Sequence, residues 1–258
     1  LLDSAAASAL KKGHWIMSDH FKIRIKFQKT GAIRYIGHLD VMRFFQKCTR
    51  RADINVCYST GFSPHQLLTF AAPLSVGLES LGEYMDVEVN AVTSTADFVK
   101  RLNEASVPEI RIVDAKLLPE KAENAMASVA AASYQVSFRE GRVPESFQGS
   151  DDEIQTALSE FLSKESLPYV KESKKGTREI DLKEGIYALT WDTEGHFLTM
   201  LLDASSGDNI KPIQVLDCFL KRLGQSLADN ALTITRLDVL TRNDDGVLIS
   251  MNDVGEEF

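Results

Sequence analysis

Several signatures are missing from this 258-residue chain, and each absence removes a class of function. It has three cysteines, Cys48, Cys57 and Cys218, with no CxxC spacing. An odd, scattered set excludes a complete disulfide scaffold and points to a reduced, cytoplasmic compartment. No apolar run approaches the roughly 20 residues of a membrane-spanning helix. No basic stretch followed by a long apolar run marks a secretory leader. No glycine-rich phosphate loop, dinucleotide fingerprint or GxSxG nucleophile turn is present, so nucleotide-hydrolase, dehydrogenase and esterase readings fall away. The CxxxCxxC arrangement that would hold the cluster of a radical enzyme is absent too.

What is present is an ordinary globular composition, 44% hydrophobic and 26% charged, with an uneven charge distribution. The net charge is −8, but Phe21 to Arg51 holds nine basic residues and a single acid, Asp40. That segment carries +8 and the remainder −16. Screening confines each field to about 10 Å, so an acidic protein can still present a local anion-binding face.

Hydrophobic periodicity predicts two α+β units, each a sheet covered by helices on one side. Residues 1–16 precede Met17 and are expected to be a tag or an upstream segment. The first unit is expected over 17–118, a polar, alanine-rich linker over 119–132 and the second unit over 133–258. In the first, alternation over Phe21–Phe27 predicts a strand whose outer face is basic (Lys22, Arg24, Lys26). A second short strand is expected over Ala32–Ile36, then a helix from His38 to about Ala52. That helix would bury Val41, Phe45, Cys48 and Ala52 and expose a stripe of Arg43, Lys47, Arg50 and Arg51. Further strands are expected over Ile54–Tyr58, Gln66–Leu74, Gly82–Val89 and Glu109–Leu117, with a helix capped by Ser94 or Thr95. In the second unit, helices are expected over Asp151–Ser163 and from Pro212, with paired strands between them. The specific topology expected is a ferredoxin-like unit in each half.

Chemistry-bearing residues concentrate between Lys29 and Val89. Lys29-Thr30-Gly31 is followed by Arg34-Tyr35-Ile36-Gly37-His38-Leu39-Asp40, then by Arg50-Arg51. A turn-rich loop from Ser59 to His65 and the stretch Pro73 to Glu83 complete the set. These motifs resemble, in order, those of the bacterial radical SAM-linked protein family, a domain of unknown function. Ser63 and Gly37 depart from its pattern, where Asn and Ser are the commoner residues. The motif-rich part covers about sixty residues. The resemblance implies association with a radical SAM enzyme, as a genomic neighbour or a fused domain, often near RNA-processing and ribosomal protein genes. It implies no reaction and no cofactor for this chain.

Three readings of His38, Asp40 and His65 stand side by side. They could be structural, with the histidines bonded to backbone and Asp40 capping the helix. They could favour a phosphate, with His38 and Arg34 at the helix start. They could hold a divalent metal, which ranks last because no HxH or HxxxH pair occurs. Phe62, in the turn-rich loop, is either a core plug or a ring for stacking on a base.

The leading expectation is a non-catalytic module that presents RNA, tRNA or rRNA, to a radical SAM enzyme. Arg34, Arg43, Lys47, Arg50 and Arg51 would hold phosphates, Phe62 and His65 would contact a nucleotide, and His38 is a further nucleic-acid-binding candidate. One alternative is an RNA-modifying enzyme similar in fold to pseudouridine synthases, with Asp40 as nucleophile. The other is a protein-docking domain whose basic face meets an acidic partner.

Overall fold

A computed structural model describes residues 20–173, 176–207 and 209–258. The fold is α+β, with eleven strands and four α-helices among the described residues. The chain divides into two compact units. One is formed by the described residues up to Val129 together with Val239–Phe258, the other by Ala130–Asp238. Residues Val239–Phe258, with the last strand Leu248–Ser250, therefore belong to the first unit and not to the second. A linear reading misses this because strand β10 (Leu232–Arg242) runs unbroken from one unit into the other.

The first unit begins with β1 (Phe21–Lys29), followed by helix α1 (His38–Arg51), β2 (Leu68–Phe70) and β3 (Glu79–Val89). Helix α2 (Thr95–Glu104) and β4 (Ile112–Leu117) follow. The strand order is β4-β1-β3-β2, with every neighbour antiparallel. One face of β1 (Ile23, Ile25, Phe27) and of β3 (Met85, Val87, Val89) joins Val41, Phe45 and Cys48 of α1 and Phe98 and Leu102 of α2 in one core. Phe45 packs edge-on against Phe27 and Phe70, with ring centroids 4.7 and 5.8 Å apart. Each such side chain contributes about 1.5–3 kcal/mol on burial.

The opposite face of β1 overturns the expectation of a solvent-facing basic strand. Arg24 is 0% exposed. Its Nε and one terminal nitrogen donate to the two carboxylate oxygens of Asp86, its register partner on β3, at 2.8 and 3.0 Å. It also donates to the Glu123 carbonyl, and Lys22 donates to that of Ala122. Lys26 lies 5.5 Å from the centroid of the Tyr84 ring. The cause is the segment after β4: Leu118, Ala125 and Val129 are buried, so the expected linker folds back onto this face. Alternation reports which residues share a face. It does not report whether another segment covers that face.

Three short strands also differ from expectation. Residues Gly31–Tyr35 form a 3-10 turn, not a strand. Gly31 takes φ +60°, and its N–H donates to Glu79 Oε1, while the Gly77 N–H donates to the Arg34 carbonyl. The backbone is satisfied by loop partners and no ladder forms. Ile54–Tyr58 is reduced to single bridges, Val56 with Val89 and Tyr58 with Gln66. Of Gln66–Leu74 only Leu68–Phe70 is strand, and Pro73 beyond it has no N–H for a ladder.

The second unit contains β5 (Ala131–Phe138), α3 (Asp151–Leu162), the hairpin β6–β7 (Pro168–Ser173 and Gly176–Asp181), β8 (Ile186–Asp192), β9 (Phe197–Asp203) and α4 (Pro212–Arg222). Its strand order is β8-β9-β5-β10, and β6–β7 forms a separate two-stranded sheet. Helix α3 carries a complete capping box between Ser150 and Glu153, and α4 has Pro212 in its first turn. Phe147, Phe161, Trp191 and Phe219 form a linked aromatic core. Between β6 and β7, Lys174 and Lys175 lie outside the described residues. Lys171 donates to the Asn209 carbonyl, and Arg178 is exposed.

Candidate nucleic-acid interface

Helix α1 sets the geometry. Its N-cap is Gly37 and no side chain caps it. Asp40 instead bonds Arg43 at 3.2 Å on the exposed surface, so the expected Asp40 cap is not formed. The helix ends at Ala52, and Asp53 follows with φ +53°. With Val41, Phe45, Cys48 and Thr49 buried, the remaining arc carries the cations.

The five expected phosphate-binding cations divide into two groups. Arg43, Lys47 and Arg50 are exposed on one face of α1. Arg50 Nε donates to the Gln46 carbonyl, and the residue is exposed. Arg51 turns the other way: its Nε and a terminal nitrogen donate to the Ala105 carbonyl at 3.2 and 2.7 Å, at the end of α2. It also lies over the Phe44 ring. Arg34 is half-buried, 5.0 Å from the Tyr35 ring centroid, and donates to Glu79 Oε1 at 3.1 Å. Tyr35, and then Glu79, raise its pKa and keep it charged. Arg51 and Arg34 are thus bonded within the fold.

The structure does not bring His38, Asp40 and His65 together. His38 packs edge-on against Phe70, ring centroids 5.2 Å apart, at a water-sized cleft also lined by Lys29, Pro73 and Glu83. Asp40 points to Arg43, and His65 Nδ1 lies 2.8 Å from Ser59 Oγ. Among the described residues, no three His, Cys, Asp or Glu side chains gather as a metal site. The three cysteines are buried and unpaired, and burial raises each thiol pKa, so they are poor nucleophiles. Among the described residues, no helix is long and apolar enough to cross a membrane.

The Ser59–His65 loop is closed at its neck. The Ser59 N–H donates to the His65 carbonyl at 2.8 Å, and the His65 N–H donates to Ser59 Oγ at 3.1 Å. Gly61 takes φ +119°, which a side chain would resist, and lets the chain reverse. At the tip Phe62 is 113% exposed, more than in an extended reference, so it is not a core plug. Below the neck, Tyr58 bridges to Gln66, whose amide donates to Thr49 Oγ1 of α1 at 3.2 Å. The loop is therefore tied to the basic helix through Gln66 and Thr49.

Sequence reasoning did not single out Gln66 or the exposed ring of Tyr58. A glutamine ending a turn-rich loop is a weak signal, because its partner on α1 is 17 residues away. Tyr58, read as part of a strand, gave no sign that the strand would be only a bridge.

A family model described as an uncharacterized protein conserved in bacteria (DUF2344) matches residues 22–212. That span extends well beyond the motif-rich sixty residues and into α4. No curated protein matches the chain.

Proposed function

The chain belongs to this bacterial family of uncharacterized proteins, and from that premise we propose that it is a non-catalytic RNA-binding module. The observation that carries the reading is a fully exposed ring on a loop tied to a helix that carries a row of exposed cations. Phe62 stands on a closed loop tied to α1, and Arg43, Lys47 and Arg50 line the exposed side of that helix. Cations position a phosphate backbone and an exposed ring stacks on a base. Asp40 as a catalytic nucleophile has less support: it is exposed and paired with Arg43.

The module presents tRNA or rRNA to a radical SAM enzyme in the bacterial cytoplasm. The motif resemblance over Lys29–Glu83 supports that partner, and the unpaired cysteines fit a reducing compartment. The order strand-helix-strand-strand-helix-strand in the first unit supports reading it as ferredoxin-like, and the second unit repeats it around the inserted β6–β7 hairpin.

Crosslinking in cells tests the proposal. Wild type is compared with the triple variant Arg43→Glu, Lys47→Glu, Arg50→Glu, and the recovered RNA is sequenced. A defined RNA recovered with wild type and lost with the variant is the expected result. No RNA above background with wild type overturns it, and the basic face is then a docking site for an acidic protein.

A further inference from the structure

We infer that this surface takes an unpaired segment of RNA, with a base stacked on Phe62 and the adjoining phosphates on Arg50 and Arg43, and that it rejects a duplex. The inference rests on the RNA-binding reading and narrows its ligand.

The placement follows from helix geometry. Successive residues of α1 turn by about 100°. Taking Thr49, the contact point of Gln66, as origin, Gln46 lies about 60° round the helix, Arg50 about 100° and Arg43 about 120° in the same sense. Both cations lie nearer to that contact point round the helix than Lys47, at about 160°. Arg51 lies on the other side, where it bonds Ala105. The Gln66–Thr49 bond thus fixes the neck of the loop about a third of a turn round α1 from the two cations.

The chemistry of the loop selects the ligand. A fully exposed phenyl ring has only its face to offer. In an A-form duplex the base faces are already stacked and the major groove is too deep and narrow for side chains. In a single strand, loop or bulge the bases are free to stack on an aromatic ring. Tyr58, 51% exposed beside the neck residue Ser59, is a second exposed ring on the same segment. The closed neck holds Phe62 in place before binding, which lowers the ordering cost on association. Stacking tolerates any base, so the surface reads strandedness before sequence.

The test uses the full chain and a 20-nucleotide RNA of mixed sequence, presented alone and annealed to its complement. The expected result is binding to the single strand about ten-fold or more tighter than to the duplex. Phe62→Ala weakens single-strand binding by about 5- to 100-fold and leaves duplex binding unchanged. Because Phe62 makes no packing contact, this variant folds as wild type, which a thermal melt checks. Arg43→Ala lowers the slope of log K against log salt by about 0.7 on the single strand. Equal or tighter duplex binding, or an unchanged affinity for Phe62→Ala, overturns this inference and leaves RNA binding standing. Failure to bind either RNA overturns the RNA-binding reading itself.

Discussion

Two basic stretches lie within thirty residues of each other, and the fold uses them in opposite ways. On β1, Lys22, Arg24 and Lys26 alternate with apolar residues. On α1, Arg43, Lys47 and Arg50 recur at helical spacing. The strand cations meet a complementary strand: Glu88, Asp86 and Tyr84 of β3 stand opposite them in register. The folded-back segment after β4 then covers Arg24 completely. Of the helix cations, Arg43 meets Asp40 through an exposed pair of little energetic consequence, and Arg50 bonds the Gln46 carbonyl of its own helix. The excess of +8 in this region is therefore partly consumed inside the molecule, and the part available to a ligand is the part on α1. Local charge in a sequence becomes a surface property only after the neighbouring strands are known.

The largest expected effect breaks the strand side of that contrast. Arg24→Ala leaves the Asp86 carboxylate buried without its cation, and loss of about 3–5 kcal/mol is expected in chemical denaturation. A double variant, Arg24→Met with Asp86→Leu, removes both charges and recovers most of that loss. If Arg24→Ala unfolds at the wild-type denaturant concentration, the pair is not buried in solution and the contrast fails. On the helix side, the triple charge reversal at Arg43, Lys47 and Arg50 is expected to weaken RNA binding on the order of 100-fold at low salt. Its unfolding midpoint should stay near that of wild type, because exposed substitutions shift stability by about 0.5 kcal/mol or less each.

The helices were the most legible part of the sequence. The apolar stripe of α1, Ser94 as the cap of α2 and Pro212 at the start of α4 each rest on local physics. The ends and faces of the sheet were less legible. Gly31–Tyr35 became a 3-10 turn because its donors and acceptors are met by residues more than forty positions away. The burial of Arg24 depends on Asp86 and on the segment near Glu123, which no local window contains. The candidate site divides the same way. Arg43, Lys47 and Arg50 followed from helical spacing. That Arg51 belongs to α2, and that Gln66 fastens the loop to α1, required tertiary contacts.

A smaller effect sharpens the comparison within α1 itself. Arg51 shares the helix and the sequence motif with Arg50, but it closes the end of α2 through the Ala105 carbonyl. Arg51→Ala is expected to cost about 1 kcal/mol of stability. RNA affinity should change less than with Arg50→Ala. A filter-binding titration beside a urea melt reads both. An equal loss of affinity with the two variants would place Arg51 among the ligand contacts and dissolve the division of the stripe.

The smallest effect belongs to Lys47, which is exposed and opposite the buried stripe of α1. Lys47→Ala removes a charge and no packing, so stability should stay within about 0.5 kcal/mol of wild type. If Lys47 meets a phosphate, the salt dependence of single-strand binding should flatten by about 0.7 in slope, with the stacking preference for unpaired RNA kept. An unchanged slope would confine the phosphate path to Arg43 and Arg50, the two cations nearer to Thr49 round the helix. The ligand would then cross α1 beside the Phe62 loop instead of following the helix along its length.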